Sequence, residues 1–568
     1  MPRLVVRPVP DAGLQALLGA GVHPVVARVL AARGVASLGD NDHELATLLP
    51  FTALLNAEAM AARLADAIVA GKRLLIVGDY DADGATAAAV GCLALRGFGA
   101  TVDTLVPNRF EYGYGLTPEI VRIAAARSPD IIITVDNGIA SIDGVDAANR
   151  HGIEVLVTDH HLPGATLPAA TSIVNPNQRG CPFPSKNLAG VGVMFYVMLA
   201  LRAELRRRGA FGTGTGPNLA SLLDLVALGT VADVVRLDRN NRTLVAQGLR
   251  RIRDGRARPG VMALLRAAGR DPAGVTAEDL GFVVGPRLNA AGRLEDMAQG
   301  IECLMTDDTA RADALAGQLS ALNRDRRAIE AGMETEALAQ LSTFDPGDSA
   351  SITLHDPAWH PGVVGLLASR LRERFHRPAF CFAGAPGGEI KGSGRSIDAL
   401  HLRDALDLVD RAHPGLLLRF GGHAAAAGAS LLPGSVDAFR AAFEATAQTL
   451  LSDADLDRVI ETDGALRGNE MALPVAELLR KEVWGRGFAP PLFADRFEVE
   501  NQRVVGGAHL RLRLRPAGTA SPPVTSMLFR HADRLPARIE AVFRLDVNEW
   551  NGVRSLQLVV EHWEAAHG

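Results

Sequence analysis

Three apolar runs along the chain end in acid. Leu74-Leu75-Ile76-Val77 is followed by Gly78-Asp79-Tyr80-Asp81-Ala82-Asp83-Gly84. Ile131-Ile132-Ile133-Thr134-Val135 is followed by Asp136-Asn137-Gly138, and Val155-Leu156-Val157-Thr158 by Asp159-His160-His161. Unbroken apolar runs of this length predict strands buried on both faces, as in a parallel sheet. A fourth run, Leu228-Gly229-Thr230-Val231-Ala232, ends in Asp233 in the same way. Strand and helix patterns alternate to about residue 240, which predicts βαβ units. In an open sheet of that kind, ligands bind beyond the carboxyl ends of the strands.

The flanking pattern divides the rest of the chain. The N-terminal segment up to about residue 50 mixes polar and apolar positions and predicts helices, and an Ala-rich helix from Ala57 to Ala70 leads into the first strand. Residues 261–344 read mostly as helices. The last, Thr309 to Leu341, is long enough to connect two lobes and carries Arg324, Arg326 and Arg327 near its middle. A second α/β segment begins near Ser351-Ile352-Thr353-Leu354 and ends near Leu432. The period then changes to two. His509-Leu510-Arg511-Leu512-Arg513-Leu514-Arg515 predicts a strand with one apolar and one basic face. Further strands near 495–505, 523–530, 538–546 and 554–562 complete a small all-β barrel.

Composition narrows the setting. The chain has 568 residues, which points to several domains, and 48% hydrophobic content is enough for packed cores throughout. No apolar stretch is long enough to span a bilayer, and the start MPRLVVRPVP lacks a signal-peptide core. Cys92, Cys181, Cys303 and Cys381 are far apart and form no CxxC pair, so neither zinc nor disulfides are expected; a reducing cytoplasm fits. The net charge of −5 argues mildly against a nucleic-acid binder. A site rich in aspartate lowers the net charge by itself, however, while basic residues cluster elsewhere.

The acidic motifs carry the chemistry. One Asp-Gly after a strand is ordinary turn chemistry, but a succession of them on one sheet edge would repel strongly without cations. Asp81, Asp83, Asp136 and Asp233 offer hard oxygen ligands and His160 an imidazole, a mixture suited to Mn²⁺ or Mg²⁺. Two such ions about 3.5–4 Å apart are a device for in-line attack on a phosphodiester. Asp136 is the expected bridging ligand. Adjacent histidines on a strand end are expected to point in opposite directions. His160 is therefore assigned to metal and His161 to the substrate phosphate, as donor or general acid. Asp159 joins His161 and Asp136 as the residues nearest the chemistry, and Asp79 is expected to be an outer carboxylate.

These motifs, Gly78-Asp-Tyr-Asp-Ala-Asp-Gly84, Val135-Asp-Asn-Gly-Ile139, Asp159-His-His161 and Gly229-Thr-Val-Ala-Asp233, resemble the four motifs of the DHH phosphoesterase superfamily. Gly421-Gly-His-Ala-Ala-Ala-Ala-Gly428 is similar to the associated DHHA1 domain. With Pro107-Asn-Arg-Phe-Glu-Tyr-Gly-Tyr-Gly115, Gly285-Pro-Arg-Leu-Asn-Ala-Ala-Gly-Arg293 and the barrel tail, nearly the whole chain resembles the RecJ family of bacterial 5′→3′ exonucleases. The resemblance implies two α/β lobes, a parallel-sheet DHH domain and a DHHA1 domain, joined by a long helix, plus a C-terminal OB-fold β-barrel. The expected boundaries are 1–55 for an N-terminal helical segment, 56–308 for the DHH domain and 309–344 for the connecting helix. Residues 345–450 are expected to form the DHHA1 domain and 455–568 the OB-fold. The implied reaction is metal-dependent hydrolysis of single-stranded DNA to 5′-mononucleotides, with Mn²⁺ or Mg²⁺. The implied setting is cytoplasmic recombination and repair by a monomer, with single-strand-binding protein and a RecQ-type helicase as partners. Residues 81, 83, 136, 160 and 233 are the implied ligands, with Asp79 and Asp159 close by.

A 5′ exonuclease must hold a terminal phosphate, and arginine donates two parallel bonds to one. Arg109, Arg287 and the Ser393-Gly394-Arg395 stretch, read as one turn with an anion nest, are expected to do so, with Asn289 and Arg293 nearby. A salt bridge is the competing reading for each arginine. Gly421-Gly422 would let the strand approach, with His423 on phosphate; His360 would do likewise or cap a helix. Arg511 and Arg513 fit tracking of DNA along the barrel, or a solvated strand face, and Phe493, Phe497 and Trp550 are the aromatic candidates for base stacking. The competing functions are another DHH enzyme acting on oligoribonucleotides, cyclic dinucleotides or pyrophosphate, and a non-catalytic DNA-binding scaffold.

Overall fold

The three acid-terminated runs are adjacent strands of one parallel sheet. Its spatial order is Thr101–Leu105, Arg73–Gly78, Ile131–Val135, Glu154–Thr158, Ser172–Val174. Leu74 lies opposite Ile131, and Ile131 opposite Glu154, so the strands end level and their acids fall on one edge. Every residue of Ile131–Val135 is buried. Leu75, Val77, Ile132, Val155 and Val157 pack with Ile120, Val121 and Val145 on one face. On the other lies the Ala82–Gly97 helix, buried on nearly all sides between the sheet and two further helices, Gly190–Arg207 and Leu223–Ala232. Its small side chains allow that close packing, and Asp83 in its first turn is buried with them.

The coordinates are a computed structural model that describes residues 2–107, 115–341, 349–385, 388–467, 469–519 and 521–566. They divide into two units, Val6–Ser320 with Glu461–Gly568, and Met1–Val5 with Ala321–Ile460. The N-terminal segment holds two helices, Asp11–Gly19 and Pro24–Ala31, but opens on a short strand, Arg3–Val6, which the helical expectation missed. The fourth apolar run is also corrected. Leu223–Ala232 is a helix and Asp233 is its C-cap. Leu225, Val226, Ala227 and Leu228 are all fully buried, and a helix covered all round loses the periodicity that separates it from a strand.

The long Thr309–Gln340 helix runs from the first unit into the second. The second unit is built on a mixed sheet in the order Leu417–Gly422, Ala426–Leu431, Ile390–Arg395, Ala379–Gly384, Ile352–His355, of which the last pair is parallel. Phe380, Phe382, Phe439 and Phe443 form its aromatic core.

The tail is a closed barrel in the strand order Phe493–Val505, His509–Pro516, Val524–Leu528, Val553–Ala565, Arg538–Trp550. Leu510, Leu512 and Leu514 point inward, Arg511 and Arg513 outward. Phe493 and Phe497 are not base platforms: they are 0% and 1% exposed and pack with Phe543 inside the barrel. Trp550, 71% exposed, is outside. The four cysteines are buried, free thiols. Among the described residues no single helix is long and apolar enough to cross a membrane.

Candidate metal centre and nucleic-acid interface

Asp81 caps the Ala82–Gly97 helix: its Oδ1 accepts from the backbone N–H of Asp83 at 2.9 Å and of Gly84 at 3.0 Å. Asp83 is 1% exposed and is met by another helix end. Its Oδ2 accepts from Gly190 N at 2.6 Å and its Oδ1 from Val191 N at 2.9 Å. The positive end of the Gly190–Arg207 helix thus faces a buried carboxylate. Gly190 is squeezed between two acids, because a Cβ there would lie 2.6 Å from Asp136 Cβ and 2.7 Å from its Oδ1. Asn289, expected among DNA contacts, accepts from Ala82 N through its Oδ1 at 2.7 Å and steadies the same helix start.

Asp136 leaves its strand in a left-handed conformation, φ +60°, which aspartate tolerates better than most residues. The turn directs its carboxylate at the others. Three sets of side chains bring ligand atoms within 4.8 Å of one another: Asp79, Asp81 and Asp136; Asp83, His160 and Asp233; and Asp136, His160 and His161. His160 Nε2 lies 3.0 Å from Asp136 Oδ1, 3.5 Å from Asp233 Oδ2 and 4.0 Å from Asp83 Oδ2. His160 Nε2 and Asp233 Oδ2 are buried and make no hydrogen bond among the described residues.

Burial and crowding raise three of the acids here. Burial and the Asp233 charge push the Asp83 carboxyl up to about 7. Burial and Asp81 push Asp233 up to about 8. Burial and the four neighbouring aspartates hold Asp136 well above the usual carboxylate range. Burial, followed by the His161 charge, lowers His160. The mutual repulsion in the raised carboxyls is what a bound cation would relieve.

The two histidines do not diverge as expected. Their rings are 4.4 Å apart, and His161 Nδ1 is 4.0 Å from Asp136 Oδ1. Strand alternation ends at Thr158, and beyond it Asp159 gathers the chain. Its Oδ1 accepts from His160 N at 2.7 Å, His161 N at 3.0 Å and His161 Nδ1 at 2.8 Å, while Oδ2 accepts from Ile139 N at 2.9 Å. Burial works against the His161 charge, but the Asp159 bond outweighs it and raises the imidazole to about 9. Burial would raise Asp159 in turn, and the His161 bond and both imidazole charges hold it below its ordinary value. Asp159 is therefore a positioning residue, with both oxygens committed to the protein.

The remaining expected contacts are placed as follows. Arg109 lies outside the described residues. Arg287 donates from Nε to Ser320 Oγ at 3.1 Å, and Arg293 sits half-buried in the last turn of the same helix. In the second unit, Ser393-Gly394-Arg395 is the end of a strand, not a turn, as Gly394 pairs with Phe380 and Ala427. Arg395 Nη1 donates to Ser393 Oγ at 2.9 Å, and both residues lie against Gly365 in the first turn of the Val364–Phe375 helix. His360 precedes that helix and accepts from Gly362 N at 3.1 Å. His423, exposed, follows the Leu417–Gly422 strand.

On the barrel, an open groove of about 370 Å³ is lined by Arg511, Thr525, Met527, Asn548, Trp550 and Gln557. Arg513 is exposed beside it, whereas Arg515 is ion-paired with Glu500 and drops out of the basic stripe. Sequence reasoning missed the Gly190 and Val191 amides. Their one local signal is a Gly-Val-Gly start to an apolar helix.

Comparison with known proteins agrees with this architecture. The model of the DHH family, N-terminal domain, matches residues 73–230, the DHHA1 domain residues 348–449, and the RecJ OB domain residues 462–562. The single-stranded-DNA-specific exonuclease RecJ of Dickeya dadantii is 51% identical over 94% of this chain and 95% of its own length. That of Escherichia coli is 48% identical over 96% of each. The crystal structure of RecJ in complex with Mn²⁺ from Thermus thermophilus aligns with a TM-score of 0.83 at 32% identity, covering 100% of this chain and 80% of that one. With a parallel DHH sheet, a DHHA1 unit, an OB barrel and half of its residues shared with such relatives, the chain belongs to the RecJ family of single-stranded-DNA-specific exonucleases.

Proposed function

We propose that the chain is a metal-dependent exonuclease that hydrolyses single-stranded DNA from its 5′ end to 5′-mononucleotides. The observation that carries this reading is the linking of Asp79, Asp81, Asp83, Asp136, Asp233 and His160 through three ligand sets that share Asp136 and His160, with His160 Nε2 and Asp233 Oδ2 buried and lacking hydrogen bonds among the described residues. Oxygen donors with one imidazole fit Mn²⁺ or Mg²⁺, and RecJ structures from Thermus thermophilus hold each of these ions. Asp81, Asp83, Asp136, His160 and Asp233 would hold the metal, with Asp79 flanking. Asp136 belongs to two of the three ligand sets and is the proposed shared ligand. Two divalent ions, when bound, would supply a water of lowered pKa and positive charge for the departing oxygen.

The chain's own residues do the rest. The Gly190 and Val191 amides hold Asp83 at a fixed angle. Asp159 orients His161 and keeps it charged. With Nδ1 committed to Asp159, Nε2 is the nitrogen that would donate to a phosphate oxygen. Within the second unit, Ser393, Gly394, Arg395 and His360 beside a helix N-terminus form the proposed phosphate-recognition group, joined by His423. Arg287, Arg293 and Arg109 are proposed phosphate contacts of the first unit. On the barrel, Arg511, Arg513 and Trp550 combine charge with a stacking face, the pairing used for single strands. The proposed setting is the cytoplasm, where thiols such as these four stay reduced, and the proposed partners are single-strand-binding protein and a RecQ-type helicase.

The test is hydrolysis in Mn²⁺ of single-stranded DNA labelled at either end, compared with duplex DNA, RNA and the Asp136→Ala variant. The 5′ label should appear at once as mononucleotide, and the 3′ label as a shortening ladder. Activity that survives Asp136→Ala, or none on single-stranded DNA, overturns the reading.

A further inference from the structure

The metal cluster has a cationic neighbour that its chemistry does not require. The chain entering the barrel makes a tight loop at Trp484–Phe488, where Gly485 and Phe488 exchange backbone hydrogen bonds at 2.9 and 3.1 Å. The Trp484 and Phe488 rings stack at 5.3 Å, the Arg242 guanidinium lies 4.0 Å from the Phe488 centroid, and Arg33 covers Trp484 at 5.2 Å. This rigid loop is docked on the segment that follows Asp233. Leu237 N donates to Arg486 O at 2.7 Å. At Gly487, φ +73°, a Cβ would meet Arg236 Cγ at 2.4 Å.

Arg486 is at the tip of the loop and exposed. Its Nη1 donates to the carbonyl of Val234 at 3.3 Å, one residue past Asp233. The Asp233 carboxyl feels its charge, yet Arg486 forms no ion pair with Asp233 or with any other acid among the described residues. Here the backbone bonds and stacked rings already hold the loop, and four of the five guanidinium N–H donors have no assigned acceptor among the described residues.

We propose that Arg486 binds a backbone phosphate of the single DNA strand beside the metal cluster. A guanidinium carried on a loop held by its own backbone and rings, with four donors unassigned, matches a phosphate in charge and geometry. It also provides the positive charge that a polyanion needs next to five carboxylates. The proposal rests on the exonuclease reading, since it takes that substrate as given.

The test is DNA binding by full-length protein in the Asp136→Ala background, in Mn²⁺, using 5′-phosphorylated single strands with one neutral methylphosphonate moved along the first several linkages. Arg486→Gln should weaken binding about tenfold, the size of one hydrogen bond to a charged group. It should also reduce the slope of log affinity against log salt by about 0.7, as for one lost phosphate contact. Arg486→Lys should retain part of the affinity. At one linkage the methylphosphonate should weaken the protein that keeps Arg486 and leave Arg486→Gln unaffected. A loop merely disturbed by the substitution would show equal losses at every linkage, and that result overturns the proposal, as does an unchanged affinity and salt slope. If the Asp136→Ala protein binds no single-stranded DNA at all, the exonuclease reading falls first.

Discussion

Asp159→Asn removes a charge while preserving shape, and four short contacts set its cost. The carboxylate is 1% exposed and accepts from His160 N, His161 N, His161 Nδ1 and Ile139 N, all at 2.7 to 3.0 Å. An asparagine that keeps its oxygen toward the histidines turns its amino group at the Ile139 N–H. One buried donor then loses its acceptor, at about 1–3 kcal/mol. The His161 contact becomes neutral rather than charge-assisted, at about 1 kcal/mol more. The sum is about 2–4 kcal/mol against a typical total of about 5–15.

The pH dependence has a definite sign. His161 is raised from 6.5 to about 9, so its contribution is complete below 6.5 and lost as pH rises through 9. Asp159 is lowered, so its contribution is present above its unfolded value near 3.8 and lost as pH falls through the folded one. The gap between wild type and variant is therefore widest between about pH 4 and 6.5 and narrows toward pH 9. Hydrogen exchange in peptides spanning residues 131–161 of the metal-free protein measures the local opening energy, and the His161 ring protons report its titration. Protection should fall by the stated amount at pH 6, and the His161 midpoint should move from about 9 toward 6.5. A loss below about 0.5 kcal/mol, or one independent of pH, would refute the assignment of Asp159 as organiser.

Metal removal should expose the strain in the cluster. Asp83 and Asp233 are acids raised to about 7 and 8, so their contribution is complete below 3.8 and lost as pH climbs through those values. Metal-free protein should accordingly melt lower as pH rises from 4 to 8, and the rise in Tm on adding Mn²⁺ should grow over the same range; a constant Mn²⁺ effect contradicts this. Gly190→Ala places a methyl 2.6 Å from Asp136 Cβ and should weaken Mn²⁺ binding at least tenfold by paramagnetic resonance titration, whereas unchanged affinity would show that the two acids can part. Trp550→Ala should weaken single-strand binding by about 1–3 kcal/mol with little change in Tm. Phe497→Ala should instead cost about 3–5 kcal/mol of stability, and the opposite pattern would reverse their placement.

What the sequence made legible follows from how local each feature's cause is. A strand buried on both faces and the acid after it are neighbours in the chain, so the pattern at Ile131–Asp136 carries its own meaning. Asp233 was legible as an acid ending an apolar run, but the run's identity as a helix was not, since complete burial erases the period. The expected divergence of the two histidines failed because it carried strand alternation two residues past Thr158, into a loop shaped by the Asp159 carboxylate. Ser393-Gly394-Arg395 read as a turn because glycines usually mark one. Here they mark crowding: Phe380 and Phe382 lie across the sheet from Gly394 and Gly392, where a Cβ would come within 2.5 and 2.2 Å of the rings.

The least legible contacts are those that hold the acids in place. Asp83 is gripped by backbone amides 107 and 108 residues away, and Ala82 by Asn289, 207 residues away. A side chain advertises its chemistry by its type, whereas a backbone N–H is present at every residue except proline and becomes a ligand only through the fold. Glycine is the exception that leaves a trace, because it is required where backbone must approach closely. Gly190 against Asp136 and Gly487 against Arg236 are two such traces, and each borders the metal cluster. In this fold, then, the acids identify the reaction, and the glycines that admit neighbouring backbone show which distant segments hold those acids at working distance.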